Sequence, residues 1–107
     1  MFTYNKLVRD KIPEIISASG KKANCRILSK DEYIIELDRK LDEECAEYQH
    51  DKNIEELADI LEVIYAIAEA RGYSVSDLER VRAEKFDKRG GFKNRVFLEN
   101  VEDNYKK

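Results

Sequence analysis

Proline, glycine, cysteine and long apolar runs are all scarce in this sequence of 107 residues, and each shortage excludes a class of protein. One Pro and four Gly argue against a loop-rich or low-complexity chain. Without a run of about 18 apolar residues, we expect no membrane-spanning segment. Cys25 and Cys45 are too few for a disulfide framework or a zinc cluster. Residues 1–10 lack the apolar core of a signal peptide, so we expect a cytoplasmic protein with reduced thiols.

The composition is nevertheless that of a folded protein. Charged residues make up 40% of the chain, but 42% is hydrophobic, which is not a disordered composition. The length predicts a single domain over residues 1–107. A chain this short buries a thin core by itself, and oligomerisation is a common remedy.

Charge is distributed unevenly along the chain, which has a net charge of −3. The balance is +5 over residues 1–30, −11 over residues 31–70 and +3 over residues 71–107. A nucleic-acid binder would need a continuous basic face, so we expect no nucleic-acid partner. An acidic centre between basic flanks suits a bound cation with phosphates held from the sides. The alternative is that charged helices simply keep the chain soluble.

Helix-end signals and apolar periodicity predict an all-α fold with four main helices. Gly20 and Gly72 are placed to end the first and third helices. Residues 25–28 and 95–98 allow a short extended pair. The predicted helices open at Asp10, Ser29, Asn53 and either Ser74 or Ser76, and they end near Ser19, His50, Arg71 and Lys88.

The two central helices should pack as an antiparallel hairpin, because only two or three residues join them. Each carries an apolar stripe at helical spacing, which would place Cys45 in the core. On the second helix three further apolar residues widen the stripe beyond what one partner covers, which predicts a homodimer or homotetramer. The stripes are Ile34, Leu37, Leu41, Cys45 and Tyr48, then Ile54, Leu57, Leu61, Ile64 and Ala68, with the extension at Ile60, Val63 and Ile67.

Two kinds of acid are distinguished on the helix from Asn53 by the rotation of about 100° per residue. Glu56 falls in an apolar sector and Asp59 at its edge, whereas a solvated face is formed by Glu55, Glu62 and Glu69. An unpaired carboxylate in an apolar sector is unfavourable, so a cation should compensate Glu56. The alternative is that Glu56 is only the reciprocal partner of the Asn53 cap.

On the preceding helix, Glu43, Glu44 and Glu47 flank one edge of the apolar stripe. In a hairpin this edge can face Glu56 and Asp59. Carboxylates gathered in this way repel one another unless divalent cations neutralise them, and all-oxygen ligation suits Mg²⁺ or Mn²⁺. The alternative is a solvated face on which Lys40 pairs with Glu44. His50 is expected to be a C-terminal cap of this helix.

The segments 43–47 and 56–59 match an EExxE…ExxD pattern and resemble the MazG-like superfamily of all-α nucleotide pyrophosphohydrolases. Residues 4–13 and 88–92 resemble the opening and closing segments of a small phosphoribosyl-ATP pyrophosphatase-like subgroup. The resemblance covers most of the chain and implies one MazG-like domain over residues 1–107. It implies hydrolysis of a nucleotide at the α–β phosphate bond, giving a monophosphate and pyrophosphate.

The resemblance places the metal on Glu44, Glu47, Glu56 and Asp59, with Glu43 as a further ligand or a group that orients water; all five are the expected catalytic residues. Phosphates also need cationic partners, and two basic clusters are available. The alternative for each base is a surface salt bridge. The expected substrate-binding residues are Lys6, Arg9, Lys11, Lys40, Lys88 and Arg89.

Two other interpretations stay open. One is the histidine-pathway enzyme that acts on phosphoribosyl-ATP itself. The other is a non-catalytic helical interaction module whose acids are only a solvated surface. No residue in the sequence recognisably selects a base or a sugar.

Overall fold

The computed structural model describes residues 2–103, and every regular element in that range is an α-helix. The all-α class, the four helices and the central hairpin are thereby confirmed. Residues 25–28 and 95–98 are not strands, because no backbone ladder pairs either segment. The helices are α1 (Ile12–Ala18), α2 (Lys30–Asp51), α3 (Ile54–Ala70) and α4 (Val75–Arg89).

The ends of α1 show one prediction wrong and another right. Asp10 does not cap the helix; Lys11 occupies the N-cap position without a side-chain hydrogen bond. A side-chain cap is dispensable here, because the Ile12 N–H donates to the Arg9 carbonyl at 3.0 Å and Pro13 has no N–H to satisfy. Gly20, with φ of 85°, follows the C-cap as expected.

Helix α2 begins with a capping box at Ser29, where the sequence predicted its start. The Ser29 side chain accepts from the Glu32 N–H, and the Glu32 carboxylate accepts from the Ser29 N–H, both at 3.2 Å. At the other end Lys52, and not His50, is the C-cap, in a left-handed conformation with φ of 56°. His50 lies in the last turn and contacts Asp51 at 2.6 Å, so its capping role was predicted wrongly.

Helices α2 and α3 pack against each other and form the core of the first of two compact units, residues 1–75. The core is small: the buried apolar side chains in the described residues are Leu37, Val63 and Ala68. The second unit, residues 76–107, contains nearly all of α4, and its residues 90–103 are irregular. No helix in the described range has the length and apolarity needed to cross a membrane.

The buried face of α3 matches the predicted one only in part: Ala68 is buried as expected, but other positions differ. Val63, expected to face a second copy, is 8% exposed and belongs to the core of the chain. Ile54, Leu57 and Leu61, expected to face α2, are 76%, 49% and 46% exposed. On α2 the prediction holds in part, because Leu37 of the predicted stripe is buried, whereas Cys45 is exposed and Glu44, at the edge of the stripe, is buried. The buried face of α2 thus includes the edge that carries the acids. The prediction that Cys45 packs in the core was wrong.

Candidate metal centre

The turn between α2 and α3 determines which acids meet. Only Lys52 and Asn53 separate the two helices. The Lys52 N–H donates to the Tyr48 carbonyl at 2.8 Å, and the Asn53 side chain accepts from the Glu56 N–H at 3.0 Å. Because the connection is so short, the last turns of α2 lie beside the first turns of α3.

Four carboxylates come together beside this turn, and we call them the acidic cluster: Glu44 and Glu47 of α2, Glu56 and Asp59 of α3. One oxygen from each lies within 4.8 Å of the corresponding oxygens of the other three. Within each helix the two acids are three residues apart, so they lie on one face and point the same way. The cluster therefore contains the four residues that the sequence proposed as metal ligands.

Two oxygens of the acidic cluster have no hydrogen-bond partner. Glu44 is only 7% exposed, and its Oε2 atom is buried and unpaired. The Oε2 atom of Glu56 is also buried and unpaired. A buried acceptor without a donor is unfavourable and needs a reason. Hard carboxylate oxygens are the ligands that Mg²⁺ and Mn²⁺ prefer, so the donor set fits such an ion.

The orientation of Glu56 bears on whether it serves as a cap partner or as part of the cluster. Asn53 caps α3 through the Glu56 N–H. The Glu56 carboxylate does not complete a capping box, because it contacts Glu47 and leaves Oε2 unpaired. The side chain is thus directed towards the other acids.

Electrostatics within the acidic cluster favour protonation of two members. Burial raises the pKa of Glu44, and the adjacent Glu47 carboxylate raises it further, with Lys40 acting in the opposite direction. Burial also raises the pKa of Glu56, with added repulsion from Asp51 and Asp59. Asp51 was not singled out from the sequence. Its place at the end of α2, just before the tight turn, was the available signal.

Glu43 lies beside the acidic cluster, outside the group of four, and is held by two lysines. The Lys6 and Lys40 ammonium groups donate to its two oxygens at 3.0 and 3.3 Å. Partial burial raises the pKa of Glu43, but the hydrogen bonds from Lys6 and Lys40 outweigh it and leave the pKa below its usual value. Lys40 also lies 3.4 Å from Glu44, as the helical spacing predicted. Glu43 therefore stays ionised at neutral pH.

The segment before α1, which contains Lys6, also brings Arg9 to the acidic cluster. The Arg9 guanidinium donates to Asp59 Oδ1 at 2.7 Å, across 50 residues of sequence. Lys6 and Arg9 thus both engage acids of this region, which the sequence did not show. A cavity of about 140 Å³ lies next to Glu43 and is lined by Asn5, Lys6, Leu7, Glu36, Arg39, Lys40 and Glu43.

Three further basic residues predicted to bind phosphate are Lys11, Lys88 and Arg89. Lys11 is exposed at the N-terminus of α1. Lys88 and Arg89 lie in the last turn of α4, before Gly90, and their role stays a prediction. The acids to which no chemistry was assigned, Glu55, Glu62 and Glu69, are exposed as expected.

Comparison with known proteins finds a relative that matches a short segment of this chain. Over 42 residues, 39% of this chain, the sequence is 62% identical to an uncharacterized protein from Mycolicibacterium smegmatis (strain ATCC 700084 / mc(2)155). The match spans 43% of the length of that protein. No protein-family model matches the chain, and neither does any solved structure.

Proposed function

We propose that this protein is a divalent-cation-dependent nucleotide pyrophosphohydrolase of the MazG-like superfamily. It would cleave a nucleoside triphosphate, canonical or damaged, to a monophosphate and pyrophosphate. The observation that carries the proposal is the acidic cluster, in which four carboxylates from two helices meet and two buried oxygens lack partners. Such an arrangement is costly to folding unless a cation uses it.

The acids near the turn would have two roles, metal binding and orientation of the attacking water. Glu44, Glu47, Glu56 and Asp59 would hold Mg²⁺ or Mn²⁺. When bound, the ion neutralises phosphate oxygens and makes water a better nucleophile. Glu43, which stays ionised between Lys6 and Lys40, would orient the attacking water. Water adds to one phosphorus of the α–β bridge as the bridging P–O bond breaks, and a carboxylate accepts the released proton.

The cations around the acidic cluster would hold the phosphates of the substrate. Lys6 and Arg9 lie at its rim, with their charged ends bonded to Glu43 and Asp59. Lys40 is 14% exposed and is bonded within α2. Bonds from Lys or Arg to phosphate are charge-assisted and strong, so each of the three is suited to the task.

We also propose that the protein is a homo-oligomer, a dimer or a tetramer. The support is the small core together with the exposed face of α3 formed by Ile54, Leu57 and Leu61. A helix hairpin with such a face usually buries it against further helices. A second copy of the chain is the simplest source of them.

Product analysis tests the proposed activity. The purified protein is incubated with Mg²⁺ and a panel of canonical triphosphates, damaged triphosphates and phosphoribosyl-ATP, and pyrophosphate and monophosphate are measured. We expect the two products in equal amounts and none in EDTA. Orthophosphate without pyrophosphate, or full activity in EDTA, would contradict the proposal. Cleavage of phosphoribosyl-ATP alone would assign the histidine-pathway reaction, and no cleavage with no metal binding would favour an interaction module.

A further inference from the structure

The segment before α1, residues 2–11, is tied to the hairpin by two of its three basic side chains, and we call it the N-terminal arm. Arg9 donates to Asp59 at 2.7 Å and Lys6 donates to Glu43 at 3.0 Å. Its residues 2–9 belong to no helix or strand. These two ion pairs are the side-chain hydrogen bonds that join the described part of this segment to the acids.

Both ion pairs are accessible to solvent and therefore exchangeable. In the Arg9–Asp59 pair the side chains are 55% and 37% exposed. Accessible pairs of this kind contribute little net stability, because water and salt compete with them. Arg9 also uses only a part of its hydrogen-bonding capacity, since among the described residues its guanidinium bonds to Asp59 alone. The remaining N–H groups can serve another acceptor.

The N-terminal arm compensates Asp59 of the acidic cluster and Glu43 beside it. Arg9 reaches Asp59, and Lys6 reaches Glu43, but neither reaches the unpaired oxygens of Glu44 and Glu56. A cation drawn to those two oxygens would share Asp59 with Arg9. The two positive charges then repel each other, and Asp59 cannot serve both fully.

We propose that Arg9 is an exchangeable counter-ion, which pairs with Asp59 until a divalent cation binds the acidic cluster and then transfers to a phosphate of the substrate. This inference rests on the proposed function and adds an order of binding, cation before nucleotide. It also places the phosphate chain along the face of the hairpin that the N-terminal arm covers. The guanidinium suits the transfer, because a phosphate offers the same paired oxygen acceptors as a carboxylate.

Two affinities measured on the same variants test the exchange. Mn²⁺ binding is followed by electron paramagnetic resonance, and binding of inorganic pyrophosphate by calorimetry at saturating Mn²⁺. Arg9→Gln removes the guanidinium that competes with the cation for Asp59, so Mn²⁺ should bind at least about threefold more tightly. The same variant should bind pyrophosphate about tenfold more weakly, the loss expected of one charge-assisted hydrogen bond. Arg9→Lys, which keeps the charge, should recover part of the pyrophosphate affinity.

The matched control is Arg71→Gln, the same change of charge at a second long-range ion pair. Arg71 bonds to Asp38 at 3.3 Å, and neither residue belongs to the acidic cluster. We expect this variant to change neither affinity by more than about twofold.

The opposite signs of the two effects are decisive, since a purely structural role of Arg9 would weaken both affinities. Weaker Mn²⁺ binding by Arg9→Gln would mean that Arg9 orients Asp59, and the exchange would be wrong. If Arg9→Gln changed either affinity as little as Arg71→Gln does, the proposed exchange would also be wrong. In both cases a wild-type protein that binds Mn²⁺ leaves the proposed function standing. A wild-type protein that binds no Mn²⁺ removes the proposed function and the exchange together.

Discussion

Glu44 is the residue at which stability and function conflict most clearly. Its side chain is 9% exposed, one oxygen has no partner, and burial raises its pKa. Lys40, at 3.4 Å, compensates only part of the charge because it also serves Glu43. A chain selected for stability alone would place an apolar side chain here. Buried groups with shifted pKa values concentrate at functional sites, which is the interpretation we adopt.

Glu44→Gln should therefore stabilise the protein when cations are removed. We expect the free energy of unfolding at pH 7 in EDTA to rise by about 1 kcal/mol, because the buried charge is gone and the shape is kept. In Mn²⁺ the order should reverse, since only the wild type gains binding energy from the ion. Urea unfolding at equal protein concentration measures both. Glu62→Gln, on the exposed face, is the control, and a Glu44→Gln variant destabilised in EDTA would count against this account.

The start of α2 gives a prediction at the scale of an element. Hydrogen bonds from Arg26 and from the Ser29 backbone lower the pKa of Glu32 to about 2. Its contribution to stability is therefore present above the unfolded value of 4.5 and is lost as the pH falls towards about 2. Glu32→Ala should lower stability at pH 6, and the difference from wild type should shrink steadily between pH 4.5 and pH 2.

Denaturant unfolding followed by circular dichroism at several pH values measures this difference. Glu99→Ala is the control, because Glu99 lies outside every helix. A Glu32→Ala deficit that stays constant down to pH 2 would show that the carboxylate charge does not stabilise the capping box.

The elements themselves were largely predictable from the sequence. Local signals specify helix ends, and all four predicted starts and the two glycine stops lie within one or two residues of the observed ends. The capping group of α1 was predicted wrongly, because the Ile12 N–H donates to the Arg9 carbonyl and not to the Asp10 side chain. Local capping chemistry depends on a few neighbouring residues, and the sequence shows those directly.

The rotation of the two central helices about their axes could not be predicted from hydrophobicity alone. In the stripe of α3 that was expected to face α2, Leu57 and Leu61 are exposed whereas Ala68 is buried, and the core also includes Val63 from outside that stripe. Hydrophobic periodicity shows which residues avoid water and does not distinguish one partner from another. The motif predicted which acids would meet, but the contacts of Lys6 and Arg9 join residues 37 and 50 positions apart and leave no local signal.

At the scale of the whole molecule, the proposed interface between copies would lie on the exposed face of α3. Leu61→Asp should dissociate the oligomer while the chain stays helical, because Leu61 is 46% exposed. Val63→Asp should instead unfold the hairpin, since Val63 is 8% exposed and a buried charge without a partner costs several kcal/mol. Sedimentation equilibrium and circular dichroism distinguish the two results. An active wild-type species at the chain mass of 12.6 kDa would show that no oligomer is needed.

The central claim is that the acidic cluster binds a divalent cation, and a Mn²⁺ titration followed by electron paramagnetic resonance at pH 7 tests it most directly. The wild type should bind Mn²⁺, Glu56→Gln should bind it at least about tenfold more weakly with its helical signal intact, and Glu62→Gln should match the wild type. Glu56 and Glu62 lie on one helix and the change of charge is the same, so the comparison isolates position. A wild-type protein without Mn²⁺ binding, or a Glu56→Gln variant that binds as tightly as wild type, would contradict the account.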